Sequence, residues 1–184
     1  MLRRLSSWLY RFIKGWMVLA GLLVFATFSA LVLPGQAAGS DPQTGETGVP
    51  DLSVYYSAGT LYQWAEEYGE GGRDEYIRAR FTFDLVWPLV YGFFLVTAIT
   101  WLYSKAFPDG SIWRLANVAP LAGLLFDYLE NMSTSLVMAR FPAQTSLFDW
   151  LAGFFTLSKW GFIAASFVLL VTGVVAAIWK WITN

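Results

Sequence analysis

The sequence predicts an all-α integral membrane protein: a bundle of four transmembrane helices with a short amphipathic helix in the first extracytoplasmic loop. Of the 184 residues, 57% are hydrophobic and only 14% are charged, and the mean hydropathy is +0.50. A soluble domain carries about 25% charged residues. The apolar residues also form runs of the ~20 residues that a membrane-crossing helix needs. We therefore interpret residues 1–184 as a single membrane domain.

The first predicted span covers residues 16–34. A basic segment precedes it and Gln36-Ala-Ala-Gly follows it, in the order of a secretory signal peptide, which has a basic region, an apolar core and a small-residue cleavage site. The apolar run exceeds the ~7–15 residues of a signal-peptide core. The sequence therefore favours an uncleaved signal anchor, with a cleaved signal peptide as the alternative.

The predicted outer loop covers residues 35–80 and contains a helical pattern. Ser57 can cap a helix whose apolar residues recur at i, i+3, i+4 and i+7, and whose opposite side is acidic. This pattern predicts a short amphipathic helix, either lying on the membrane surface or packed as a cap over the bundle. Gly71-Gly72 is expected to end it, before a polar helix that runs into the second span. The apolar stripe consists of Leu61, Trp64, Ala65 and Tyr68.

Three further spans are predicted at about 81–103, 115–139 and 148–181. A turn around Pro108-Asp-Gly separates the second from the third. Arg140 and Pro142 close the third, and Thr145 or Ser146 can cap the fourth. The fourth exceeds the length that a span requires, so we expect it to tilt, kink or project beyond the bilayer.

The basic residues predict the orientation of the spans. Those of the N-terminal segment, the turn between spans two and three and the C-terminus fall on one side of the membrane, and four arginines fall on the other. The positive-inside rule then places both termini in the cytoplasm and the 35–80 loop outside. The two groups are Arg3, Arg4, Arg11, Lys14, Lys105, Arg114 and Lys180, and Arg73, Arg78, Arg80 and Arg140.

Composition excludes several functions. The chain has no cysteine and no histidine, so thiol chemistry, iron–sulfur clusters, histidine-ligated haem and imidazole catalysis are excluded. The formal net charge of −1 argues against a nucleic-acid partner, which requires a basic face. We expect no cofactor. Carboxylates that hold a hard cation are the metal chemistry that this composition leaves open.

Four ionisable side chains fall inside the predicted spans: Asp84, Asp127, Glu130 and Lys159. A charge in hydrocarbon costs roughly 2.5–3.5 kcal/mol on insertion scales. Asp127, Glu130 and Asn131 share one helix face, which should point to the protein interior because lipid offers no hydrogen-bond partner. By helix rise, Lys159 reaches the level of the third-span acids, and Asp84 lies nearer the outside.

These charges have three interpretations. Three acids face one lysine, which favours a site for a small cationic or amphipathic ligand or for protons. Alternatively, the charges are structural: Lys159 pairs with Glu130 or Asp127, and a carboxylate left without the lysine pairs with Arg78 or Arg80. Intramembrane hydrolysis is the third, although no Gly-x-Gly-Asp motif is present. The candidate ligand- or proton-binding residues are Asp84, Asp127, Glu130, Asn131 and Lys159, with Trp87 and Tyr91 as walls of the site.

The motifs Phe-Asp-x-x-Trp-Pro at Phe83 and Asp-x-x-Glu-Asn at Asp127, together with the segment beginning at Pro50, resemble those of a group of small four-span bacterial inner-membrane proteins of unassigned function. The likeness covers most of the chain from about residue 15. The resemblance implies four helices and a bacterial inner membrane, and no chemistry.

The sequence thus predicts a multi-pass membrane protein whose first partner is the lipid bilayer, and it favours a non-enzyme. Our leading hypothesis from the sequence is binding or transport at the acidic site. The alternative is an accessory or scaffold subunit whose partner is another membrane protein or a second copy of the chain.

Overall fold

The computed structural model describes residues 1–34 and 53–183, and helix is the only regular secondary structure in these two ranges. The all-α prediction is confirmed for this part of the chain. The possible cleavage site after Gln36 and the first part of the predicted loop lie outside the described residues.

Numbered in chain order, the helices are α1 (Leu2–Phe12), α2 (Gly15–Thr27, continued by a π-helical segment, Phe28–Val32), α3 (Ala58–Glu67), α4 (Gly69–Arg80), α5 (Phe83–Ala106), a 3₁₀ helix (Ile112–Val118), α6 (Ala119–Arg140) and α7 (Phe148–Thr183). The last, with 36 residues, has the excess length that the sequence predicts. The 3₁₀ helix occupies the start of the predicted third span, so the α-helix itself begins four residues later than predicted.

Among the described residues, three helical stretches are long and apolar enough to cross a membrane: Gly15–Val32, Gly69–Ala106 and Phe148–Thr183. They correspond to the first, second and fourth predicted spans. The predicted third span is α6, with 22 residues. Its length suffices, but the polar stripe around Asp127 and Glu130 interrupts its apolar run.

The residues divide into two compact units. The first comprises Met1–Val32, Leu89–Gly123 and Gly161–Asn184. In this unit α1 packs on the 3₁₀ helix: the hydroxyls of Ser6 and Tyr10 both donate to the carbonyl of Arg114, at 3.1 and 3.0 Å. The sequence analysis treated residues 1–14 only as a basic flank, so it missed this helix.

The described residues of the second unit are 33–34, 53–88 and 124–160. Its apolar core joins α3 to α6 and α7, with Leu61 and Ala65 fully buried against residues that include Val137, Met138 and Ala152. The apolar stripe of α3 is therefore covered by protein. This packing favours the alternative in which α3 is packed as a cap, rather than the one in which it lies on the membrane surface.

The helix break near residue 70 is displaced from its predicted place. Ser57 caps α3 by accepting a hydrogen bond from the Thr60 N–H, as the sequence suggested. The break comes at Gly69, whose φ of 62° is accessible to glycine at little cost. Gly71 and Gly72 lie inside α4, so the prediction that this pair ends the helix is wrong: the left-handed residue at Gly69 already ends it.

Gly153 on α7 allows a close approach of the chain that precedes α3, and its replacement is our first prediction. A Cβ atom at this position would collide with the backbone carbonyl of Tyr56, which cannot swing away as a side chain can. We expect Gly153→Ala to lower the free energy of unfolding by about 1–3 kcal/mol, measured by thermal unfolding in detergent.

The matched control is Gly161→Ala on the same helix. Among the described residues, only chain neighbours and the backbone of the same helix lie within 4 Å of a Cβ built at this position. Alanine also has the better helix propensity, by up to about 1 kcal/mol. It should be neutral or slightly stabilising. Equal destabilisation by both substitutions would show that the approach at Gly153 is not limiting.

Candidate functional site

Glu130 on α6 lies at the centre of a buried polar cluster in the second unit. Its side chain is 1% exposed. One carboxylate oxygen, Oε2, lies 2.5 Å from the Lys159 ammonium. The other, Oε1, accepts hydrogen bonds from the hydroxyls of Thr156 at 2.6 Å and Tyr56 at 3.2 Å. Both oxygens of this buried carboxylate are therefore engaged, one by a cation and one by two neutral donors.

Three segments supply this cluster. Thr156 and Lys159 are three residues apart on α7, so they project from one face of that helix. Tyr56 comes from the extended chain before α3, which lies along α7. Two features hold it there: the close approach at Gly153 and a hydrogen bond of 3.0 Å from the Trp160 indole N–H to the Ser53 carbonyl. The Tyr56 ring also meets the ring of Trp64 edge-on at 5.3 Å.

The Tyr56 hydroxyl is held neutral. Its burial raises the pKa above the ordinary tyrosine value, and the negative charge of Glu130 raises the pKa further. At physiological pH the hydroxyl therefore keeps its proton, which it donates in the hydrogen bond to Glu130. The hydroxyl thus serves as a fixed hydrogen-bond donor to the carboxylate.

A second ion pair forms where α4 meets α5. The Arg80 guanidinium lies 2.6 Å from the Asp84 carboxylate, and the two side chains are 6% and 15% exposed. The guanidinium also stacks over the Tyr76 ring, 4.3 Å from its centroid. The sequence offered Arg78 or Arg80 to a carboxylate without a lysine partner, and in the structure Arg80 pairs with Asp84. Arg78 is exposed.

The stripe on α6 is buried as expected. Asp127, Glu130, Asn131 and Thr134 are at most 7% exposed, and Met132 on another face is 63% exposed. Within the stripe, the Asn131 amide donates to Asp127 at 3.4 Å. The structure thus brings Glu130 and Lys159 into direct contact, and it places Asp127 on the same face one turn earlier.

Trp87 and Tyr91, the two predicted walls of the site, belong to different units. Trp87 is partly buried on α5 in the second unit, one turn after Asp84. Tyr91 is buried, with 4% exposure, and belongs to the first unit. Their proposed role as walls of a binding site stays a prediction.

Two residues of the second unit escaped the sequence analysis. Tyr56 precedes α3 and so has no helical phase that could connect it to Glu130. Tyr62 is not part of the predicted apolar stripe of α3, although it packs against the edge of the core. Its hydroxyl accepts from the Thr145 N–H at 2.7 Å and donates to Asp149 at 3.2 Å, which ties α3 to the start of α7. Spacing along the chain carried no signal for either contact.

Two clefts among the described residues lie in the first unit. One, of about 600 Å³, is lined by residues of α5 and α7 that include Val175, Trp179 and Lys180. The other, of about 400 Å³, lies between α1 and the 3₁₀ helix. None of the seven candidate site residues lines either cleft. In residues 1–34 and 53–183, no three acidic side chains are grouped closely enough to hold a metal ion.

Comparison of the chain with family models, with curated proteins and with solved structures finds no match in any of the three. The four-span bacterial group suggested by the two sequence motifs therefore stays a prediction.

Loss of the Tyr56 hydroxyl should destabilise the protein. Tyr56→Phe removes a neutral donor from a buried carboxylate, and a hydrogen bond to a charged group is worth about 1.5–3 kcal/mol. We expect a loss of that size in thermal unfolding. The exposed neighbour Tyr55, with 60% exposure, is the control: Tyr55→Phe should change stability by less than about 0.5 kcal/mol. Equal effects would contradict the assigned bond.

Arg80 and Arg78 form a second matched pair. Arg80→Gln leaves the mostly buried Asp84 without its cation and removes the stacking on Tyr76. We expect a loss of about 1–3 kcal/mol, below that of a fully buried pair because Asp84 keeps some contact with solvent. Arg78→Gln on the exposed side of α4 should be close to neutral. Thermal unfolding at low and high salt distinguishes them, since the buried pair is screened less.

Proposed function

We propose that this chain is a four-span membrane protein in which the buried charges are structural, and that it acts as an accessory or scaffold subunit of a membrane complex. The observation that carries the proposal is that both oxygens of the Glu130 carboxylate already contact groups of the protein. A carboxylate that already holds an ammonium and two hydroxyls offers little to an incoming cation, and neither described cleft reaches it.

The surface of the helices supports a membrane location. Large apolar side chains of α2 face outward, with Leu19 and Leu23 about 70% exposed, and the second half of α7 exposes Val171 and Val175 in the same way. Exposed apolar area of this extent suits lipid rather than water. On α6 the polar stripe is buried and Leu125 is exposed, which is the arrangement expected of a fourth span.

Topology follows from charge. We place both termini in the cytoplasm and the segment that contains α3 and α4 outside. Basic residues of the N-terminal segment, of the turn between α5 and α6 and of the C-terminal end outnumber those of α4 and the end of α6. The motif resemblance suggests a bacterial inner membrane. The outer segment carries exposed carboxylates that a partner subunit could meet: Glu66, Glu67, Glu70, Asp74 and Glu75.

A double-mutant cycle at Glu130 and Lys159 tests the structural role. Glu130→Gln leaves a buried ammonium without its counter-charge, and Lys159→Met leaves a buried carboxylate, so each should cost about 3–5 kcal/mol. The double variant removes both charges, and replacing a whole buried pair with neutral groups is often harmless. We expect the double variant to unfold at a higher temperature than either single variant.

The ligand hypothesis predicts a different result from the same proteins. If Glu130 serves as a counter-ion for a ligand, an organic cation such as tetraphenylphosphonium should raise the unfolding temperature of the native protein. The double variant and Asp127→Asn should then lose this shift although they fold. Such a pattern would overturn the structural proposal, whereas no shift in any variant supports it.

The scaffold part is tested with these variants in native membranes. Affinity purification of the tagged chain should recover a companion at a fixed ratio. The double variant should keep that ratio, and Glu130→Gln should lose companion in proportion to its loss of folded protein. Recovery of the native chain alone would contradict a scaffold role.

A further inference from the structure

Helix α1 has three distinct faces. One is buried against the 3₁₀ helix through Ser6 and Leu9, which are 3% and 8% exposed. The second is apolar but exposed: Leu5, Trp8 and Phe12 recur at i, i+3 and i+7 and are 40–53% exposed. The rings of the last two are in contact, with centroids 4.8 Å apart. The exposed face is thus a continuous apolar patch.

The third face is basic. Arg4, Ser7 and Arg11 have the same i, i+3, i+7 spacing and are exposed, and Arg3 adds a further exposed cation. No acidic residue precedes Asp41 in the chain. Asp109 lines the cleft beside Arg3, but its carboxylate pairs with Arg114. The helix therefore presents positive charge directly beside exposed aromatic and aliphatic side chains.

Helix α1 lies directly before the first stretch that could cross a membrane. The helix ends at Phe12, and the first stretch apolar enough to cross a membrane begins at Gly15. The two residues between them are extended, with ψ of 127° at Ile13 and 157° at Lys14, so α1 does not simply continue the span. Its buried face is held by the hydrogen bonds to Arg114 and by one from the Asn117 amide to the Ser6 carbonyl.

We propose that α1 lies in the interface of an anionic lipid leaflet, with Leu5, Trp8 and Phe12 in the acyl-chain boundary and the arginines on lipid phosphates. An amphipathic helix with a basic polar face and aromatic residues on the other binds membranes in this way. The inference requires that α2 crosses a membrane. It does not depend on the role of Glu130, so failure of either proposal leaves the other intact.

Because the native chain contains no cysteine, a single introduced thiol can be labelled without background. We would label full-length Trp8→Cys and Ser7→Cys variants with an environment-sensitive fluorophore and reconstitute them in vesicles. Neighbouring positions on different faces make a matched pair. The vesicles would contain phosphatidylcholine alone or with an equal part of phosphatidylglycerol, and a phosphatidylcholine carrying a spin label near the headgroup would serve as quencher.

In phosphatidylglycerol vesicles, the label at position 8 should be blue-shifted and quenched, and the label at position 7 should remain in water. Replacing the three arginines of α1 with glutamine should weaken docking by about fivefold per residue, and the quenching at position 8 should fall accordingly. A Leu5→Cys variant repeats the measurement if the loss of Trp8 alters folding, which thermal unfolding of each labelled protein would detect.

Equal quenching at positions 7 and 8 would overturn the proposal. Quenching at position 8 that is the same with and without phosphatidylglycerol, and with and without the arginine substitutions, would do so as well. Self-quenching at position 8 together with cross-linking between copies would also overturn it. That result would show that a second copy of the chain covers the apolar face instead of lipid.

Discussion

A carboxylate buried among packed helices needs a counter-charge and hydrogen-bond donors, and each must come from the protein. Glu130 obtains them from two other segments: Lys159 and Thr156 from α7 and Tyr56 from the chain before α3. Satisfying this one group therefore fixes the rotation of α6 against α7 and holds the segment before α3 against both. A helix turned by one residue would bury the charge without partners, which costs far more than the pair contributes.

The burial of Glu130 also constrains the position of α3. Tyr56 can donate to the carboxylate only because Gly153 lets its backbone approach α7 closely, and once it is there the following residues begin α3 at a defined place. The apolar face of α3 then closes over α6 and α7, and Tyr62 bonds the start of α7. Polar and apolar packing thus support each other: the buried ion pair selects the register, and the apolar core supplies the burial.

The sequence predicted those parts of the site that lie on helices. Helical phase identified the buried stripe on α6, and the 1.5 Å rise per residue brought Lys159 to the level of Glu130. The same rules cannot predict Tyr56, because a residue in an extended segment has no phase that relates it to a helix elsewhere. Helix α1 was not predicted for another reason: its arginines match the basic flank of a span, and such a flank precedes many spans without being helical. The break at Gly69 rather than at Gly71 turned on a backbone torsion that residue type alone does not determine.

The balance of charge also depends on where the membrane boundary is drawn. Counting only the predicted spans gives three acids and one base, an excess that favours a cation site. Arg80 stands just outside that count, yet its side chain is 6% exposed and pairs with Asp84. With it included, two of the three carboxylates have a cation at contact distance, and Asp127 accepts a hydrogen bond from Asn131. An arginine at the end of a polar helix can bury its charge beside the first turn of a span because its long side chain reaches where its backbone does not. The excess of acid that suggested a ligand is therefore largely met within the protein.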